Sequence, residues 1–304
     1  MIPLEATPEQ FRQAVAGPPD EVPLARAALL VARGEYPTID VDAYERRLQD
    51  MAETLRQQLA HRGAAHPKAT MQTVNQLMFR ELGFRGNVDR YEDRRNLYLS
   101  DVLSERIGVP VTLSIVYAEV CQRAGLDVRP VGLPGHVICR YTPEDAQGEA
   151  DELLLDVFNG GRLLTRQNCQ ELVRGAFGAR VPFKEYYLAN LLPRQVLQRL
   201  LHNLKAGALQ RGDEERAARA IDFLLALFPW DLDEIRDRVR ALYEFRKGDP
   251  PLLSGKELTM VLTVLSSLPI QEARGLLDQV LSEVRGRDTS SWKKGPRILI
   301  DTRS

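Results

Sequence analysis

The sequence predicts an α+β fold, with helices at the amino end, a small antiparallel sheet in the middle and helices again to the end. Apolar residues recur at steps of three and four through the first 125 positions and again from Arg194 onward, the period of amphipathic helices. Between them, Val137–Tyr141 and Glu152–Phe158 change to the short β-branched or apolar runs of strands. The 304 residues also exceed the ~150 of one ordinary domain.

Composition narrows the function classes. Lys plus Arg number 41 and Asp plus Glu 42, a formal net charge of -1. No whole-molecule field draws in polyanions, so neither nucleic acid nor a membrane surface is expected as a partner. Cys121, Cys139 and Cys169, and His61, His66, His136 and His202, are scattered singly. No disulfide framework, metal pair or cofactor motif is expected, and a reducing cytoplasm fits. No run of ~18 apolar residues and no amino-terminal signal pattern is present.

The first helix carries Ala25, Ala28, Leu29, Leu30 and Ala32 and stops at Gly34. A second starts at an Asp40–Asp42 cap and carries Tyr44, Leu48, Met51, Leu55 and Leu59. Residues 61 to 69 form a loop, and Met71–Leu82 a third helix ending at Gly83. From Phe84 to Gly108, turn-forming Gly86, Asn87, Asp89, Asp93 and Asn96 precede a short helix over Leu99–Ile107. Tyr91, Asp93, Arg94, Arg95 and Asn96 either line a site or fix this loop.

A buried helix follows. Pro110 suits its first turn, Val111–Val120 is apolar on most faces, and Gly125 ends it. Thr112 and Ser114 lie in its first turns, where free N–H groups and the positive helix end favour an anion or a nucleophile. The strands then form a hairpin. Centred on Ala146, it places His136 opposite Asp156, Ile138 opposite Leu154 and Arg140 opposite Glu152. Residues 159 to 165 are a glycine turn, Gln167–Phe177 is a helix, and 181 to 192 carry no clear pattern. Helices are predicted over Arg194–Gln210, Asp213–Phe228, Leu232–Arg246, Lys256–Leu268 and Gln271–Val284, with a strand-like Arg297–Asp301. The endings LFP (227 to 229) and SLP (267 to 269) hint at a repeat longer than a standard tetratricopeptide unit. Trp230, after Pro229, is expected in the packing between helices.

Four blocks resemble the SirB1-type family: NVDRYEDRRNLYLSDVLSERIGVPVTLSIVYAEVCQRAGL, VGLPGHVICRY, LLLDVFNGGRLL, and the stretch from LLHNLKAGALQRGDEERAARAIDFLLALF to DRVRALY. The resemblance covers about residues 5 to 245. It implies a helical amino-terminal region and a transglutaminase-like (papain-like) core with a small antiparallel sheet, followed by an all-α tetratricopeptide-like domain. The corresponding boundaries are 1–189, 190–285 for the repeats and 286–304 for a tail.

The superfamily places a Cys at the start of a buried helix, a His on one strand and an Asp on the next. The resemblance therefore implies His136 as base and Asp156 as its orienting carboxylate. The Cys is missing. Ser114 matches its flanking pattern but lies about one helical turn too close to Gly125, and Thr112 is the other candidate nucleophile. A hydroxyl is far harder to ionise than a thiol, so transglutaminase activity is not expected. Three functions remain: a non-catalytic scaffold binding a protein or peptide through its helical repeats, an amide- or peptide-bond hydrolase using Ser114 (or Thr112) with His136 and Asp156, and small-ligand binding in the degenerate cleft. The scaffold is preferred, because the nucleophile its relatives use is absent.

Overall fold

The computed structural model describes residues 9–62, 66–144, 152–178 and 181–244, together with 261, 262, 272 and 275. The chain divides into two compact units, one comprising Gln13–Asn203 and the other joining Met1–Arg12 to Leu204–Ser304. After α1 (Glu9–Ala14), the first unit opens with α2 (Leu24–Glu35) and α3 (Val41–Arg62). α2 runs one residue past Gly34, and its buried face includes Ala25, Ala28, Leu29, Leu30 and Ala32. The predicted third helix starts earlier than Met71, because Pro67 occupies the first helical position of α4 (Pro67–Asn75). It continues as a π-helical segment, Gln76–Glu81, with Leu82 N–H donating to Leu77 O at 2.8 Å.

β1 (Arg85–Gly86) and β2 (Ile107–Gly108) form a short parallel ladder around a 3-10 turn at Arg94–Leu97 and α5 (Leu99–Glu105). α6 (Pro110–Arg123) is the central helix, with every residue from Pro110 to Ala118 buried. Its length and its Gly125 terminator, at φ +93, are as the sequence predicts.

The antiparallel sheet has four strands rather than the predicted two: β3 (Asp127–Val131), β4 (Ile138–Thr142), β5 (Leu153–Asp156) and β6 (Arg162–Leu164), in that order. β3 escapes the sequence pattern because Pro130 argues against a strand. It is tolerated because β3 is an edge strand, where the missing N–H leaves no ladder bond unmade, and its carbonyl accepts from Leu191 N–H at 2.8 Å. β6 lies in the segment predicted to be only a turn.

The hairpin register also differs from the predicted one. Cys139 opposes Leu155 and Arg140 opposes Leu154, a shift of two residues. Because strand side chains alternate with period two, this shift keeps every side chain on its predicted face, and apolar patterning cannot tell the two registers apart. Arg140 still pairs with Glu152 at 3.2 Å, as a diagonal rather than an opposite neighbour. One face of the sheet meets α6, where Cys139 Sγ approaches Ser114 O at 3.9 Å. The other face, with Val131 and Ile138, packs against Cys169 and Val173 of α7 (Arg166–Phe177) and against Leu188 of a 3-10 turn at Glu185–Leu188.

α8 (Pro193–Gln210), α9 (Glu214–Leu227) and α10 (Leu232–Glu244) follow. In the second unit, Phe11 meets Phe223 edge-on with ring centroids 4.8 Å apart. Lys205 lies 2.7 Å from both Glu234 and Asp237, and Arg238 lies 2.7 Å from Asp222. Trp230 does not pack between helices. It sits on the turn after Pro229, 54% exposed, meeting Phe228 edge-on. The helices predicted over Lys256–Leu268 and Gln271–Val284, and the strand at Arg297–Asp301, lie outside the described residues apart from isolated positions. Among the described residues, no helix is long and apolar enough to cross a membrane.

Candidate functional site

His136 follows a tight turn in which Gly135 takes φ +74 and His136 N–H donates to Leu133 O. Arg199, from α8, donates to the carbonyls of Leu133 at 2.7 Å and His136 at 3.3 Å. It thereby clamps the turn that aims the imidazole. Asp156 is the last residue of β5, fully buried, with its Oδ1 3.0 Å from His136 Nε2. Its Oδ2 accepts from Asn159 Nδ2 at 2.7 Å, and Asn159 N–H reaches Oδ1 at 3.3 Å. Burial pushes the Asp156 carboxyl upward, but the His136 bond and charge and the two Asn159 bonds outweigh it, and its pKa falls below the ordinary value. With Nε2 committed to Asp156, Nδ1 is the imidazole nitrogen left to meet a ligand.

The other two candidates are not brought into this bond network. Thr112 is committed to structure: its Oγ1 lies 2.7 Å from Asn96 O and 3.2 Å from Val109 O, and accepts from Val109 N–H at 3.2 Å. Ser114 Oγ is buried without a hydrogen-bond partner. The first residue of α6 is Pro110, whose side chain has no nucleophilic atom. The thiols offer no substitute. All three cysteines are buried, and burial raises Cys121 well above its usual value, Cys139 to about 12 and Cys169 to about 11. Among the described residues, no group of three or more His, Cys, Asp or Glu could hold a metal ion.

Two hydroxyls two residues apart thus have opposite fates. Thr112→Val is expected to cost about 2 kcal/mol in urea denaturation, because it orphans Val109 N–H and Asn96 O, whereas Ser114→Ala, losing no bond, should be close to neutral.

The loop before α5 is fixed by Asn96. Its Nδ2 donates to the carbonyls of Arg90 and Tyr91, and its Oδ1 accepts from Asn87. Asp93 pairs with Arg95, and Arg94 lies 4.0 Å from Glu35. Tyr91 meets Phe158 edge-on, and Phe158 meets His136 edge-on. Sequence reasoning missed Asn159, Phe158 and Arg199. Asn159 follows Asp156 by three residues in an Asx-type turn, a spacing that could have marked it. Nothing local marks Arg199.

Residues 42–202 match the transglutaminase-like superfamily. The chain is 36% identical over 222 residues to a UPF0162 protein of Xylella fastidiosa, covering 72% of this chain and 76% of that one. It is 28% identical over 261 residues to a UPF0162 protein of Pseudomonas aeruginosa, covering 86% and 90%. It is 29% identical over 205 residues to mouse F-box only protein 21, covering 65% of this chain and 31% of that protein. No solved structure matches the chain significantly.

Proposed function

Because the chain belongs to the transglutaminase-like superfamily and, within it, to the UPF0162 family, we propose that it is a non-catalytic member, an SirB1-type scaffold. In this proposal residues 1–189 form a degenerate enzyme domain and 190–285 a tetratricopeptide-like region that receives a protein or peptide partner in the cytoplasm. The carrying observation is that the His136–Asp156 pair is formed while neither Ser114 nor Thr112 is hydrogen-bonded to it, so a base and its orienter stand without a partnered nucleophile. A nucleophile must lie within hydrogen-bond reach of its base, and the candidate hydroxyls are either spent on backbone or unpartnered. The segment shared with F-box only protein 21 is under a third of that longer chain, which supports a module used for more than one purpose.

The test is chemical. Full-length protein treated with a serine-directed fluorophosphonate, or with a glutamine donor and a primary amine, is expected to show neither labelling nor incorporation. Labelling abolished by both Ser114→Ala and His136→Ala would establish the hydrolase instead. For the partner surface, replacing exposed Leu209 and Trp230 by Ala should release a captured partner. Unchanged capture would move the contact elsewhere.

A further inference from the structure

A cleft of about 530 Å³ opens on the first unit, next to the His136–Asp156 pair but separate from it. Phe158 is shared between them: it lines the cleft and meets the His136 ring edge-on, with centroids 6.2 Å apart. Gln72, Gln76, Arg80 and Arg85 also line the cleft, and among the described residues none of these four side chains makes a hydrogen bond or ion pair. Two guanidiniums without an acidic partner among the described residues, lining one cleft, supply the charge and donors that a carboxylate or a phosphate takes. Phe79 supplies a partly exposed ring, held in place by stacking on buried Tyr117 at 5.9 Å.

The walls are built rather than incidental. The π-helical segment Gln76–Glu81 supplies Gln76, Phe79 and Arg80, and such local widening of a helix is frequent at functional sites. Asn75 joins that wall to the loop after Asp156, donating to Gly161 O at 2.9 Å and accepting from Tyr117 OH at 2.8 Å. Gly86 lets the second wall close: a Cβ there would lie 2.6 Å from Phe158 O and 2.7 Å from its ring.

We propose that this cleft binds a small anionic ligand bearing a flat apolar group, its charge held by Arg80 and Arg85 and its ring by Phe79 and Phe158. The site goes beyond the scaffold role and does not depend on it, since none of these side chains is needed for, or excluded by, a partner bound to the helical region. Either a phosphate or a carboxylate satisfies the arginines.

The test is a fluorine NMR titration of the full chain with para-fluorophenyl phosphate, para-fluorobenzoate and neutral para-fluorobenzamide. At least one anionic probe is expected to saturate with a Kd on the order of 1 mM or tighter, and the neutral probe to bind about tenfold more weakly. The tighter anion identifies the charged group. The double variant R80Q/R85Q should weaken the anion by about tenfold and leave the neutral probe unchanged. Both arginines are exposed, so its thermal midpoint should match that of the wild type. The double variant R46Q/R62Q, at exposed arginines that do not line the cleft, removes the same net charge and should bind as the wild type does. Absence of saturation by both anions, or equal weakening by R46Q/R62Q, would overturn the proposal.

Discussion

Replacing Gly161 by alanine should destabilise the first unit by about 3 kcal/mol, several times the effect of the same change at its neighbour Gly160. Both glycines take φ +72, so both substitutions carry the left-handed backbone cost of about 1 kcal/mol. They differ in surroundings. A Cβ at Gly160 meets nothing within 4 Å, whereas one at Gly161 falls on the Asn75 carboxamide. Asn75 cannot step aside without breaking its bonds to Gly161 O and to the fully buried Tyr117. The difference between the two variants therefore measures the contact that ties α4 to the site loop. Tyrosine circular dichroism during urea denaturation is the suitable probe, because both tryptophans, Trp230 and Trp292, lie outside Gln13–Asn203. Equal losses at the two positions would show that Asn75 yields.

Asp156→Ala should cost a further large amount, about 3 kcal/mol, because it leaves His136 Nε2 and the Asn159 amide without their acceptor beneath a packed sheet end. Asp156→Asn keeps the shape and some of the bonds and should cost less, but it should also change the response to acid. The native carboxyl titrates below its unfolded value of 3.8. Its contribution to stability is therefore complete above that value and is lost as pH falls through the lower folded value. Denaturation midpoints measured down through this window should drop more steeply for the wild type than for Asp156→Asn. Parallel profiles would mean that the His136 and Asn159 contacts do not hold the charge.

The candidate site was unevenly legible. Val111–Val120 announces a buried helix because it is apolar on most faces, and Pro110 and Gly125 mark its ends, because caps and terminators act within one turn. His136 and Asp156 were placed on one face by strand alternation alone. That survived a two-residue error in register because the alternation has period two. β3 was lost because Pro130 is a breaker everywhere except at a sheet edge, and an edge is not a local property. Trp230 was misplaced because a large aromatic next to a helix end reads the same whether it turns inward or outward.

The sequence by itself determined the central helix and two of the four strands around the site, and that no cysteine stands at the start of that helix. These follow from periodicity, caps and residue identity, which involve neighbours only a few positions apart. The tertiary structure alone decided the register, the commitment of Thr112 to backbone, the clamp by Arg199 and the cleft between Arg80, Arg85 and Phe158. Each depends on groups far apart in the chain, such as Asn75 and Gly161, separated by 86 positions. Such contacts form only when packing brings them together, and no local pattern encodes the meeting.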